Sequence, residues 1–142
     1  MKVSASPMRN EALKVILDSN ALFVPLEFKL DIFAETKHLL NRNIDFILLS
    51  SVKRELELLA MKDSPKIRKE AVYALKLAEK CKQVAVGEDE KLPTDEAIVK
   101  VAKAWNSPVF TNDRQLRKKL RDISVPVVYL RQKSRLEIDG LI

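Results

Sequence analysis

The hydrophobic positions of this chain fall into short runs, separated by longer stretches in which they recur every three or four residues. Val15-Ile16-Leu17, Phe46-Ile47-Leu48-Leu49, Val84-Ala85-Val86, Val109-Phe110 and Val127-Val128 are the runs. Uninterrupted apolar runs of this length read as strands buried on both faces. The predicted strands are residues 14–17, 45–50, 83–86, 108–111 and 126–130. Between them, helical rhythm appears over Leu26 to Asn41 with Pro25 as the break before it, from Ser50 or Ser51 as N-cap to about Met61, and from Ser64-Pro65 to about Lys82 with Ile67, Ala71, Leu75 and Ala78 on one face. Two more helices follow, from Pro93-Thr94-Asp95 through Trp105, and from Arg114 to Arg121. Strands alternating with helices predict a mostly parallel, three-layer α/β sheet of about five strands. The two consecutive helices after the second strand make a helical hairpin. Residues 1–13 read as a loosely ordered lead-in.

Each of four strands leads to an acidic residue. Asp18 follows the first directly, Glu55 lies a helix turn beyond the second, Asp95 follows the third through a loop, and Asp113 follows the fourth. Open α/β sheets bind ligands outside the carboxyl ends of their strands, so the four are expected on one rim. Each has a structural alternative. Asp18 suits a turn or N-cap, Glu55 a solvated helix face, and Asp95 and Asp113 a helix start, where acids are favoured. Glu57 lies about 200° round the helix from Glu55, so the two cannot share a pocket. Four carboxylates in one pocket repel one another unless cations neutralise them, which points to divalent metal chemistry.

Composition narrows the classes. In 142 residues, 46% hydrophobic and 32% charged, a single domain spanning 1–142 with one core is expected. No apolar run approaches the roughly 18 residues that span a bilayer, and Met1 to Ala12 holds no apolar signal region. The expectation is a cytoplasmic protein with no membrane partner. One cysteine, Cys81, and one histidine, His38, exclude an internal disulfide and a structural zinc site. Cys81 is expected to be a core thiol and His38 a surface or boundary residue. Two glycines leave no P-loop and no dinucleotide fingerprint.

The net charge of +6 favours polyanions. The bases are unevenly spread: Arg114 to Arg121 holds five with no acid, and Arg131, Lys133 and Arg135 alternate, which is one face of an extended strand. Arg114, Lys118, Arg131, Lys133 and Arg135 are the candidates for phosphate contacts, with a solvated basic face as the alternative for each. Aromatic residues at 6% argue against extensive base stacking.

The segments Asp18-Ser19-Asn20-Ala21-Leu22, Val52-x-x-Glu55-Leu56, Thr94-Asp95-x-x-Ile98 and Thr111-Asn112-Asp113 resemble, in order and approximate spacing, the PIN-domain nucleases. The likeness covers nearly the whole chain. The ending, Thr111-Asn-Asp-Arg-Gln-Leu-Arg117 and Val125-Pro-Val-Val-Tyr-Leu-Arg131, is similar to the ribosomal-RNA-processing (Fcf-type) branch and its archaeal relatives, with the VapC toxins as cousins. The resemblance implies strand order 3-2-1-4-5 and Mg²⁺- or Mn²⁺-dependent endoribonuclease activity. It implies Asp18, Glu55, Asp95 and Asp113 as catalytic metal ligands or their close supports, and Asn20 and Thr111 as supporting polar partners. It also implies RNA as substrate, with a homodimer, an antitoxin or a ribosome-assembly protein as partner. The chain departs from many members at Gln115, where a further aspartate is common, and that departure bears on a second metal. A non-catalytic RNA-binding subunit and a toxin ribonuclease stand as alternatives. A phosphatase with a DxDxT loop is disfavoured because Asn20 replaces the second aspartate.

Overall fold

The computed structural model describes residues 11–86 and 92–142. Six strands form one sheet in the order β3-β2-β1-β4-β5-β6. They are β1 (Leu13–Leu17), β2 (Ile44–Leu49), β3 (Lys82–Val84), β4 (Val109–Phe110), β5 (Val127–Arg131) and β6 (Arg135–Asp139). The first five pair in parallel, with Leu13 opposite Ile44 and Ile16 opposite Val109. Successive strand residues point to opposite faces. In β1 Val15, Ile16 and Leu17 are all fully buried, so both faces of the sheet are covered and the molecule has three layers.

The helices are α1 (Val24–Phe28), α2 (Ile32–Leu40), α3 (Ser50–Leu59), α4 (Pro65–Ala78), α5 (Thr94–Trp105) and α6 (Arg114–Asp122), with a 3₁₀ turn over Ser19–Phe23 before α1. Helices α3 and α4 form the expected hairpin. Ser64 caps α4, its hydroxyl accepting from the Ile67 N–H, with Pro65 in the first position.

Several boundaries differ from the sequence reading. The helix expected over 26–41 is broken: Lys29 adopts a left-handed conformation (φ 54°), and Asp31 caps a new helix by accepting from Phe33 and Ala34 N–H. Pro25 lies inside α1 rather than ahead of a helix. Leu49, not Ser50 or Ser51, occupies the N-cap of α3. The Ser50 hydroxyl instead accepts from Val86 N–H and donates to Val86 C=O, which fastens the end of β2 to the chain leaving β3. Helix α4 stops at Ala78, and Ile67 on its expected inner face is exposed. β6 is a sixth strand, antiparallel to β5. Of the lead-in, residues 1–10 lie outside the described residues, and Leu13 already belongs to β1.

Cys81 follows α4, half-buried and packed against the core, with burial pushing its thiol up to about 12. His38 is exposed. Among the described residues no helix is long and apolar enough to cross a membrane.

Candidate active site

Asp18 leaves the carboxyl end of β1 only 4% exposed. Its backbone N–H donates to Phe110 C=O (3.0 Å), extending the β1–β4 pairing by one residue. A buried carboxylate is costly unless donors surround it. Here Oδ1 accepts from Ser19 N–H (2.8 Å), and Oδ2 accepts from the Thr111 hydroxyl (2.7 Å) and the Asn20 amide (3.0 Å). Asp18 is also the N-cap of the 3₁₀ turn, so the capping and pocket roles coincide.

Thr111 directly follows β4 and is fully buried. Its hydroxyl donates to Asp18 and accepts from Asp113 N–H (3.1 Å), so one oxygen ties two of the acidic positions together. The Asn20 carbonyl accepts from Asn112 N–H (2.9 Å), and the Asn112 carbonyl accepts from Leu130 N–H (2.8 Å). This chain runs from the end of β1 past β4 to β5 and fixes the rim.

The other carboxylates approach from three elements. Glu55 lies on α3 and accepts from the Ser19 hydroxyl. Glu57 is exposed on the same helix. Asp95 lies in the first turn of α5. Asp113 caps α6, its Oδ1 accepting from Gln115 and Leu116 N–H. Electrostatics ties the four together. Burial pushes the Asp18 carboxyl above its ordinary value against the lowering hydrogen bonds of Thr111 and Ser19, and the charges of Glu55 and Asp95 push the same way. Asp95 is raised too, first by burial, then by Asp113, with Glu55 adding and Lys119 opposing. All four expected acids therefore share one field at the carboxyl ends of β1 and β4.

Among the described residues no three acidic, His or Cys side chains stand close enough to form a ready-made metal cage. The donor set is all oxygen and anionic, which suits a hard cation. Mg²⁺ keeps several waters and is commonly held through one or two carboxylates. The residues fit a hydrated ion of that kind rather than a closed protein cage.

Of the candidate phosphate contacts, Arg114 and Lys118 are exposed on α6. Arg131, Lys133 and Arg135 do not lie along a single strand, contrary to expectation. Arg131 ends β5, Lys133 lies in the turn, and Arg135 opens β6 directly opposite Arg131. Arg131 and Arg135 both pair with Glu137 (3.2 and 3.0 Å).

Sequence reasoning assigned no role to Ser19, Asn112 or Lys119. Ser19 and Asn112 lie within the Asp18–Leu22 and Thr111–Asp113 segments, but their partners are 36 and 18 residues away, a proximity that no local pattern carries.

Residues 15–133 match the model of a family described as a PIN like domain. Ribonuclease VapC4 of Methanocaldococcus jannaschii is 33% identical over 130 residues, covering 91% of this chain and 98% of the relative. Ribonuclease VapC9 of Archaeoglobus fulgidus is 29% identical over 133 residues, 93% of each chain. Among solved structures, the PIN domain endonuclease Utp24 superimposes with a TM-score of 0.77 at 22% identity, covering 91% of this chain and 92% of that one, a likeness of fold.

Proposed function

The chain belongs to the PIN-like domain family, and from that premise we propose that it is a divalent-metal-dependent endoribonuclease. The observation that carries this is the buried Asp18, held above its ordinary pKa among Glu55, Asp95 and the Asp113-capped helix, at the ends of β1 and β4. Such a pocket is strained by its own charge and relieved by a cation. The two relatives named as ribonucleases, matched over nearly their whole length, support RNA as the substrate.

Asp18, Glu55, Asp95 and Asp113 would hold Mg²⁺ or Mn²⁺. When bound, the metal supplies Lewis acidity at the phosphate and a water nucleophilic at neutral pH. The protein's own part is orientation. Thr111 and Asn20 fix Oδ2 of Asp18, and Ser19 fixes both Oδ1 of Asp18, through its N–H, and Glu55, through its hydroxyl. Such supports around metal-holding carboxylates raise affinity and set geometry. Arg114, Lys118, Arg131, Lys133 and Arg135 would draw in the phosphate backbone without reading sequence.

The VapC names of both relatives favour a ribonuclease restrained by an antitoxin over one that processes ribosomal RNA. Growth arrest on expression, relieved by a co-purifying small protein, would support that role; harmless expression with ribosome association would support the other.

The direct test is cleavage of a mixed single-stranded and structured RNA in Mn²⁺ or Mg²⁺, with and without EDTA, by wild type and Asp18→Asn. Cleavage by wild type alone, abolished by EDTA, is the expected result. RNA bound equally and left uncut by both proteins would sink the proposal in favour of a binding subunit.

A further inference from the structure

Beside Thr111, between α6 and the β5–β6 hairpin, lies a cavity of about 330 Å³, within the size range of ligand pockets. It shares Thr111 with the acidic site and is lined by Arg114, Arg117, Tyr129, Arg131 and Gln132. Arg117 is held from two sides: its Nε donates to Asp139 (2.9 Å), and its guanidinium lies 3.7 Å from the centroid of the Tyr129 ring. Its terminal nitrogens have no hydrogen-bond partner among the described residues. Arg114 is exposed, with no ion-pair partner among them.

The hairpin tip gives a second observation. Gln132 and Lys133 both adopt left-handed backbone (φ 53° and 60°), and Ser134 N–H donates to Arg131 C=O (3.1 Å), closing a tight turn. Two consecutive left-handed residues favour Asn and Gly. This chain keeps two long polar side chains there instead, and backbone strain of this kind gathers at working sites. Gln132 lines the cavity and makes no hydrogen bond among the described residues, so its amide is free for a ligand.

We propose that this cavity is a subsite for the nucleotide next to the scissile phosphate of a single-stranded RNA, with Arg114 and Arg117 holding that nucleotide's phosphate and the Gln132 amide meeting its base edge. It rests on the nuclease function proposed above. An arginine pre-set by stacking and an ion pair is suited to phosphate, and a glutamine amide pairs with base edges where single-stranded bases splay out.

The test scans RNA oligonucleotides that carry one methylphosphonate or one abasic residue at each position in turn. KM and kcat are measured for wild type, Arg117→Gln, Arg114→Gln and Gln132→Gly. For wild type, one position flanking the cut should raise KM about fivefold or more with either lesion, leaving kcat little changed. Arg117→Gln and Arg114→Gln should lose the response to methylphosphonate there. Gln132→Gly should lose the response to the missing base while melting no lower than wild type, because glycine accepts the turn's φ. Arg114 has no partner to lose, so its variant guards against misfolding of Arg117→Gln. Variants that retain wild-type sensitivity at that position, or a wild type that cleaves with no sensitive flanking position, would overturn the subsite. Failure of wild type to cut unmodified RNA would instead overturn the nuclease function itself.

Discussion

The acidic rim and the basic hairpin lie on the same side of one sheet and are built in opposite ways. At the rim, Asp18 and Thr111 are buried at the ends of central strands, and all of their side-chain oxygens have partners within the protein. At the hairpin, Arg131, Lys133 and Arg135 are exposed, and the two arginines are paired to a single Glu137. The first region has its geometry dictated by the core; the second is held by screened surface ion pairs and a strained turn. Under the proposed function, chemistry that needs fixed carboxylates would sit where packing leaves no freedom. Attraction of a polyanion needs only charge near the entrance, which the hairpin would supply.

The comparison can be broken by substitution, beginning with the largest effect. Asp18→Asn should lower cleavage by about 10³-fold or more, with RNA affinity unchanged in a filter-binding assay. Ser19→Ala frees Glu55 and should cost about 10- to 100-fold in kcat; a wild-type kcat would show that the Ser19–Glu55 contact does not position anything. Thr111→Val removes the hydroxyl that serves both Asp18 and Asp113, and denaturant unfolding should report a loss of about 1–3 kcal/mol. Arg135→Ala at the hairpin should leave the melting temperature unmoved, since exposed ion pairs contribute little. Equal effects of those last two would erase the distinction between the regions. Lys118→Gln should weaken RNA binding a few-fold on every sequence and lower the salt-dependence slope by about one.

A pH dependence follows from the same contrast. Asp18 and Asp95 both have folded pKa values raised above the ordinary carboxylate value. A group raised in the folded state favours folding while protonated, so its contribution is complete below the unfolded pKa and lost as pH rises through the folded one. Metal-free protein should therefore lose stability relative to Asp18→Asn as pH climbs from the ordinary aspartate value through the raised one. A saturating divalent ion at 100 times its Kd should return about 2.7 kcal/mol at neutral pH. A gap between the two proteins that stays flat with pH would contradict the strained carboxylate.

Much of this was legible in the chain. The central strands announce themselves because burial on both faces demands unbroken apolar runs, as in Val15-Ile16-Leu17. Asp18 was legible as the first polar residue after such a run. β6 was not, because its hairpin turn carries Gln-Lys in place of the usual Asn or Gly signal, so residues 131–135 read as one extended strand running through the turn. The split between α1 and α2 was hidden because Lys29 takes a left-handed conformation without glycine or asparagine to mark it. Ser19 escaped notice because a serine after a strand reads as turn chemistry until Glu55 is folded against it.

The most direct measurement is calorimetric titration of Mn²⁺ into wild type and Asp18→Asn at neutral pH. Saturable binding by wild type that is lost in Asp18→Asn is the predicted result. Identical titrations for the two proteins, whether both bind or neither does, would contradict the claim that the carboxylates gathered at the ends of β1 and β4 exist to hold a cation.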